Sequence, residues 1–91
     1  MYRIIDSRDS GKTSRLMLIA KEQHAKFACF YPPTMQEKAY AYGLTGIDFI
    51  SWDELINNPH SYDKVVIDEM EEFIRYMIND KLVGYTLSNE D

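Results

Sequence analysis

The chain is predicted to form a small α/β domain, a three-layer sandwich around a mostly parallel sheet of four to five strands. Three observations predict it. Strand-like apolar runs alternate with helical stretches along the chain, as in layered folds with parallel strands. The first run, Arg3-Ile4-Ile5, passes through Ser10-Gly11-Lys12-Thr13 straight into an amphipathic stretch. A later run, Val65-Val66-Ile67, ends in two adjacent carboxylates, Asp68 and Glu69.

Each element has its own signal. Tyr2 to Asp6 reads as the first strand, and Thr13 to about His24 as a helix with Leu16, Ile19 and Ala20 on one face. Lys26 to Tyr31 reads as a second strand, stopped by Pro32-Pro33. Thr34-Met35-Gln36-Glu37 has the form of a capping box, so the next helix is expected to start there and to end at Gly43. Ile47 to Ile50 is a short strand. A second capping box, Ser51-Trp52-Asp53-Glu54, opens a brief helix that Asn58-Pro59 closes. Lys64 to Asp68 has the continuous β-branched run of a buried strand. Met70, Phe73, Ile74, Met77 and Ile78 then fall at helical spacing and are expected to pack in the core. Val83 to Leu87 is expected to be a last strand.

With 91 residues, the chain has room for one domain, residues 1–91, and no second core. Its net charge of −5, with Lys21, Lys26, Lys38, Lys64 and Lys81 scattered, argues against a nucleic-acid surface. No apolar run is long enough to cross a bilayer. A single cysteine, Cys29, cannot form an internal disulfide, which points to a reducing, cytoplasmic compartment. On a strand it is expected to be a small core residue. His24 and His60 lack metal-ligand spacing. Trp52 is expected to anchor its short helix, and the surplus of tyrosines suits a protein partner surface.

The chemistry is expected where the first and fourth strands end. A tight loop before a helix turns its backbone N–H groups inward. A lysine there reaches the terminal phosphates and a hydroxyl sits on Mg²⁺. Ser7, Arg8, Asp9, Ser10, Gly11, Lys12 and Thr13 supply that loop, and departure from G-x-x-x-x-G-K-[ST] comes at Asp6, in place of the first glycine. A metal bridging phosphates needs a carboxylate at the carboxyl edge of the sheet, a role for Asp68 beside Thr13. Glu69 is the candidate to polarise an attacking water. Asp6 and Asp9 place two negative charges in a loop meant for an anion, so weak affinity is expected.

Asp6 to Thr13, Val65 to Glu69 and Tyr85 to Ser88 together resemble the core of P-loop ATPases that carry a catalytic glutamate after the Walker B aspartate. Ser-Arg-x-x-Gly-Lys-Thr is similar to the deviant Walker A of phage terminase large subunits and related helicase-like motors. The layout as a whole resembles short P-loop proteins of phages and mobile elements. The resemblance implies a P-loop NTPase-like fold with the last strand between the first and the Walker B strand. It implies ATP and Mg²⁺ as cofactors, Lys12 on phosphate, Arg8 as a cis arginine and Ser88 as a γ-phosphate sensor. The GTPase Asn-Lys-x-Asp is absent. Arg75, opposite the apolar stripe, is expected to be a solvated charge.

The expected function is therefore nucleotide binding, Mg·ATP foremost, with at most slow hydrolysis, by an accessory factor of a phage or mobile element. The alternative is a binding module that keeps the fold without the chemistry and docks on a host or phage protein to inhibit or regulate it. A small kinase is a weaker third reading, because type II thymidine kinases share Ser-Gly-Lys-Thr and Ile-Asp-Glu but need a zinc-bound lid.

Overall fold

The computed structural model describes residues 11–78, 81, 83, 84 and 86. The expected first strand, the loop residues Ser7 to Ser10 and the candidate sensor Ser88 lie outside the described residues. Within them helices and strands alternate: α1 (Lys12–Gln23), β1 (Lys26–Cys29), α2 (Pro32–Ala41), β2 (Phe49–Ser51), α3 (Trp52–Asn57), β3 (Val65–Ile67) and α4 (Met70–Met77).

The three strands form one sheet in the order β2-β1-β3, with both pairings parallel. Phe27 is level with Phe49 on one side and Val66 on the other, and Ala28 with Ile50 and Ile67. Because side chains alternate along a strand, β1 feeds both faces of the sheet. Phe27 and Cys29 pack with Met17 and Ala20 of α1, Ala39 of α2 and Ile47. Ala28 points the other way, toward Ile50, Trp52 and Phe73. Two helices on each face make three layers, a small α/β domain as expected. Three strands are present among the described residues, against the four to five expected.

Several local expectations are corrected. β1 stops at Cys29, two residues before Tyr31, and α2 starts at Pro32 without using Thr34 as a cap. The two prolines begin the helix as well as ending the strand. Proline at the first helical position has its φ already set and lacks an N–H that would be unpaired there. It also holds the preceding Tyr31 in extended backbone, at φ −135° and ψ 96°. The other end of α2 is as expected. Gly43 adopts φ +75°, Gly43 N–H donates to Tyr40 O at 3.0 Å and Leu44 N–H to Ala39 O at 2.9 Å, the paired bonds of a glycine-closed helix end.

The second capping box forms in full. Glu54 N–H donates to Ser51 Oγ at 3.0 Å, and Ser51 N–H to Glu54 Oε1 at 3.3 Å. In α1 the residue at the centre of the buried face is Met17, fully enclosed with Ala20, while Leu16 packs at the margin. β3 is only half-buried and Val65 is exposed, so its β-branched run reflects strand preference more than burial. In α4 only Phe73 is buried and Ile74 packs beside it, whereas Met70, Met77 and Ile78 are exposed. The core takes the middle of that stripe and not its ends. Val83, Gly84 and Thr86 lie outside any strand and Val83 is fully exposed. Gly84 has no side chain to contribute to a sheet face.

Cys29 is buried as expected, its thiol donating to Ile50 O at 3.8 Å. Burial, then the nearby Asp68 charge, pushes the thiol up from 9.0 to about 11.

Candidate functional site

The carboxyl ends of β1 and β3 meet the amino end of α1. Gly11 stands immediately before the helix at φ +81°, ψ 15°, a left-handed turn for which glycine carries no steric penalty. The next two residues, Lys12 and Thr13, therefore sit in the first helical turn. Among the described residues no side chain caps this helix, and no acid lies in its first turn. α3 and α4 differ, with Asp53 and Glu54 in one first turn and Glu71 and Glu72 in the other. A lysine at the positive end of a helix dipole is unfavourable by about 0.3–1 kcal/mol unless an anion lies nearby.

Anions do lie nearby, from a segment distant in sequence. Thr13 Oγ1 donates to Asp68 Oδ1 at 3.4 Å across a separation of 55 residues. Lys12 Nζ lies 3.3 Å from Glu69 Oε1. The first distance is long for a hydroxyl–carboxylate bond, so the contact is loose. The ion pair is partly exposed on both sides, and screening by water leaves such a pair worth about 0–1 kcal/mol.

The backbone at the end of β3 explains how two adjacent acids reach two different partners. Asp68 continues the strand, with its N–H donating to Ala28 O at 3.1 Å, and its side chain turns to the α1 face. Glu69 then takes φ +57°, ψ 62° as the residue before α4. That left-handed conformation costs a residue with a Cβ about 1–2 kcal/mol. It redirects the Glu69 side chain toward Lys12.

Asp68 is the buried acid among the described residues. Its carboxyl lies above the usual aspartate range. Burial is the main cause and the Glu69 charge the next; the Thr13 hydroxyl, Lys12 and Lys38 pull it back down. Lys38, an exposed residue of α2, reads in the sequence only as one of the scattered lysines. Nothing in its spacing marks it, because its position near Asp68 depends on how α2 packs across the sheet.

Of the site residues expected from sequence, Gly11, Lys12, Thr13, Asp68 and Glu69 come together here. Ser7, Arg8, Asp9, Ser10 and Ser88 lie outside the described residues. Arg75 is engaged on its own helix, with Glu71 at 2.9 Å and Glu72 at 3.6 Å. Among the described residues no three or more His, Cys, Asp or Glu side chains are grouped so that they could hold a metal ion by themselves. A shallow cavity of about 150 Å³, lined by Gln36, Tyr40, Leu44, Thr45, Ile47 and Phe49, lies toward the amino end of β2, away from these charges.

One hydroxyl and one carboxylate are hard oxygen donors of the kind Mg²⁺ takes. Mg²⁺ commonly uses one or two protein ligands and fills its remaining positions with phosphate oxygens and water. Thr13 and Asp68 fit that donor set. No helix among the described residues is long and apolar enough to cross a membrane. No protein-family model, curated protein or solved structure matches this chain.

Proposed function

We propose that this chain is a nucleotide-binding domain that takes Mg·ATP at the amino end of α1 and hydrolyses it slowly at most. One observation carries the reading: Lys12 and Thr13 lie against Glu69 and Asp68, although the two pairs are far apart in sequence. In this account the Lys12 ammonium moves from Glu69 to the phosphates, and the amino end of α1 adds its N–H groups. Thr13 and Asp68 hold Mg²⁺, which when bound neutralises phosphate charge. Glu69, released from Lys12, accepts a hydrogen bond from a water near the terminal phosphate. Phosphoryl transfer depends on positioning and charge stabilisation, and a partly exposed site on an acidic chain provides little of either. Low turnover follows.

The Lys12–Glu69 pair itself favours a second reading. If it is only a structural tie, the chain is a binding module that keeps the fold and acts by docking on another protein. The melting temperature separates the two. Under the nucleotide reading it rises in millimolar Mg·ATP, by about 2.7 kcal/mol of stabilisation at a ligand concentration one hundred times Kd, and the rise vanishes in Lys12→Ala. Absence of any shift with Mg·ATP would put the docking module in its place. Radiolabelled phosphate release, with Glu69→Gln as the control, then distinguishes a hydrolase from a binder.

A further inference from the structure

The carboxyl edge of the sheet carries a second group of side chains that the phosphate reading leaves unused. β1 runs into Phe30 and β2 into Trp52, and their rings meet at 5.5 Å with an interplanar angle of 64°. Tyr76 of α4 closes the group, 5.8 Å from Phe30 and 5.6 Å from Trp52, and Phe73 lies 5.6 Å beneath Trp52. Tyr76 is itself held in place by its hydroxyl, which donates to Asp53 Oδ1 at 2.7 Å.

Burial divides these rings into a base and a face. Trp52 and Phe73 are enclosed, whereas Phe30 is 64% exposed despite touching two other rings. Edge-to-face contacts fix the Phe30 ring without covering it. A rigid, exposed aromatic face is what another planar ring stacks upon.

Its location supplies the occupant. Phe30 directly follows the carboxyl end of β1, and Glu69 stands two residues past the carboxyl end of the neighbouring strand β3. Glu69 is the residue in contact with Lys12. The chain leaves β1 through α2 on one face of the sheet and leaves β3 into α4 on the other. A crevice between strand ends with diverging connections is where open α/β sheets take their ligands. At this junction Lys12 and Thr13 stand on the α1 side of the sheet edge and Phe30 on the side of α3 and α4.

We propose that Phe30, backed by Trp52 and Tyr76, is the stacking platform for the planar base of the nucleotide whose phosphates lie on Lys12 and Thr13. This rests on the phosphate reading and adds the base subsite to it. Stacking tolerates any base, because every base has a π-face. The site is therefore selective for nucleotides over bare polyphosphates and only weakly selective among bases.

The test compares Mg·ATP with Mg·tripolyphosphate by calorimetric titration of the full chain. Trp52, the single tryptophan, serves as an internal fluorophore. ATP is expected to bind on the order of tenfold more tightly than tripolyphosphate and to quench Trp52. Phe30→Ala should reduce ATP to the tripolyphosphate level and leave tripolyphosphate unchanged, whereas Phe30→Tyr should keep the preference. Equal affinity for the two ligands in the unaltered chain overturns the platform alone, as does equal loss of both in Phe30→Ala. Binding of neither ligand overturns the phosphate reading and the platform with it.

Discussion

Asp68 shows at the residue scale how the site and the stability of the fold oppose each other. Its carboxyl is raised, by burial first and by Glu69 second. A raised folded-state pKa means that the native chain favours the protonated form. The stability this group contributes is present below the unfolded aspartate pKa and is lost as pH rises through the folded value. At neutral pH the native chain therefore carries a disfavoured carboxylate. Asp68→Asn keeps an acceptor for Thr13 and removes the charge, so it is expected to melt higher than the unaltered chain at pH 7. That advantage should shrink as pH falls into the carboxylate range. The Mg·ATP-dependent rise should disappear. Thermal melts over pH with and without Mg·ATP check this; a destabilised variant that still responds to Mg·ATP would make Asp68 a structural residue. Trp52 shows the same tension in milder form, as its indole N–H is enclosed without an acceptor among the described residues, a desolvation of about 1–3 kcal/mol.

At the scale of elements, helix ends decided which local expectations held. Ser51 and Glu54 formed their reciprocal cap, and Gly43 closed α2, because those residue types at those offsets satisfy unpaired backbone groups directly. Thr34 and Glu37 have the same spacing but lost to Pro32, which enters a helix one turn earlier with less conformational restriction still to come. The end of α1 had no such mark in the sequence. His24 takes the left-handed position at φ +56°, and Ala25 N–H donates to Ala20 O at 2.9 Å, the bond glycine usually permits. His24→Gly is expected to stabilise the fold by about 0.5–1 kcal/mol, the relief of left-handed strain less glycine's larger unfolded-state freedom. Thermal unfolding by circular dichroism measures it, and a lower melting temperature would show that His24 contributes contacts that outweigh the strain.

For the whole molecule, the alternation of runs was enough to read the layers, because each strand of a parallel sheet must be followed by a covering helix. The meeting of Lys12 and Thr13 with Glu69 and Asp68 was legible for a related reason: all four fall at junctions between elements, and a parallel sheet collects such junctions on one edge. What could not be read was depth. The stripe of α4 and the valines of β3 have the composition of core, yet Met70, Met77 and Val65 are exposed, since burial depends on what packs opposite. Lys38 and Phe30 share that dependence. Their positions come from the packing of α2 and from the order β2-β1-β3, which no local pattern encodes.

The burial of Cys29 in the middle strand also gives the chain a built-in stopwatch. A thiol held at about 11 and sealed between two helical layers meets an alkylating reagent only when the sheet comes apart. Modification under native conditions should run at least about a thousandfold slower than in the denatured chain, and that ratio reads the opening free energy with no label engineered in. Rapid alkylation of the native chain would mean that the central strand opens on its own. Above pH 9.0 the thiol's contribution to stability declines toward about 11, so the stopwatch should quicken there faster than thiolate chemistry alone requires.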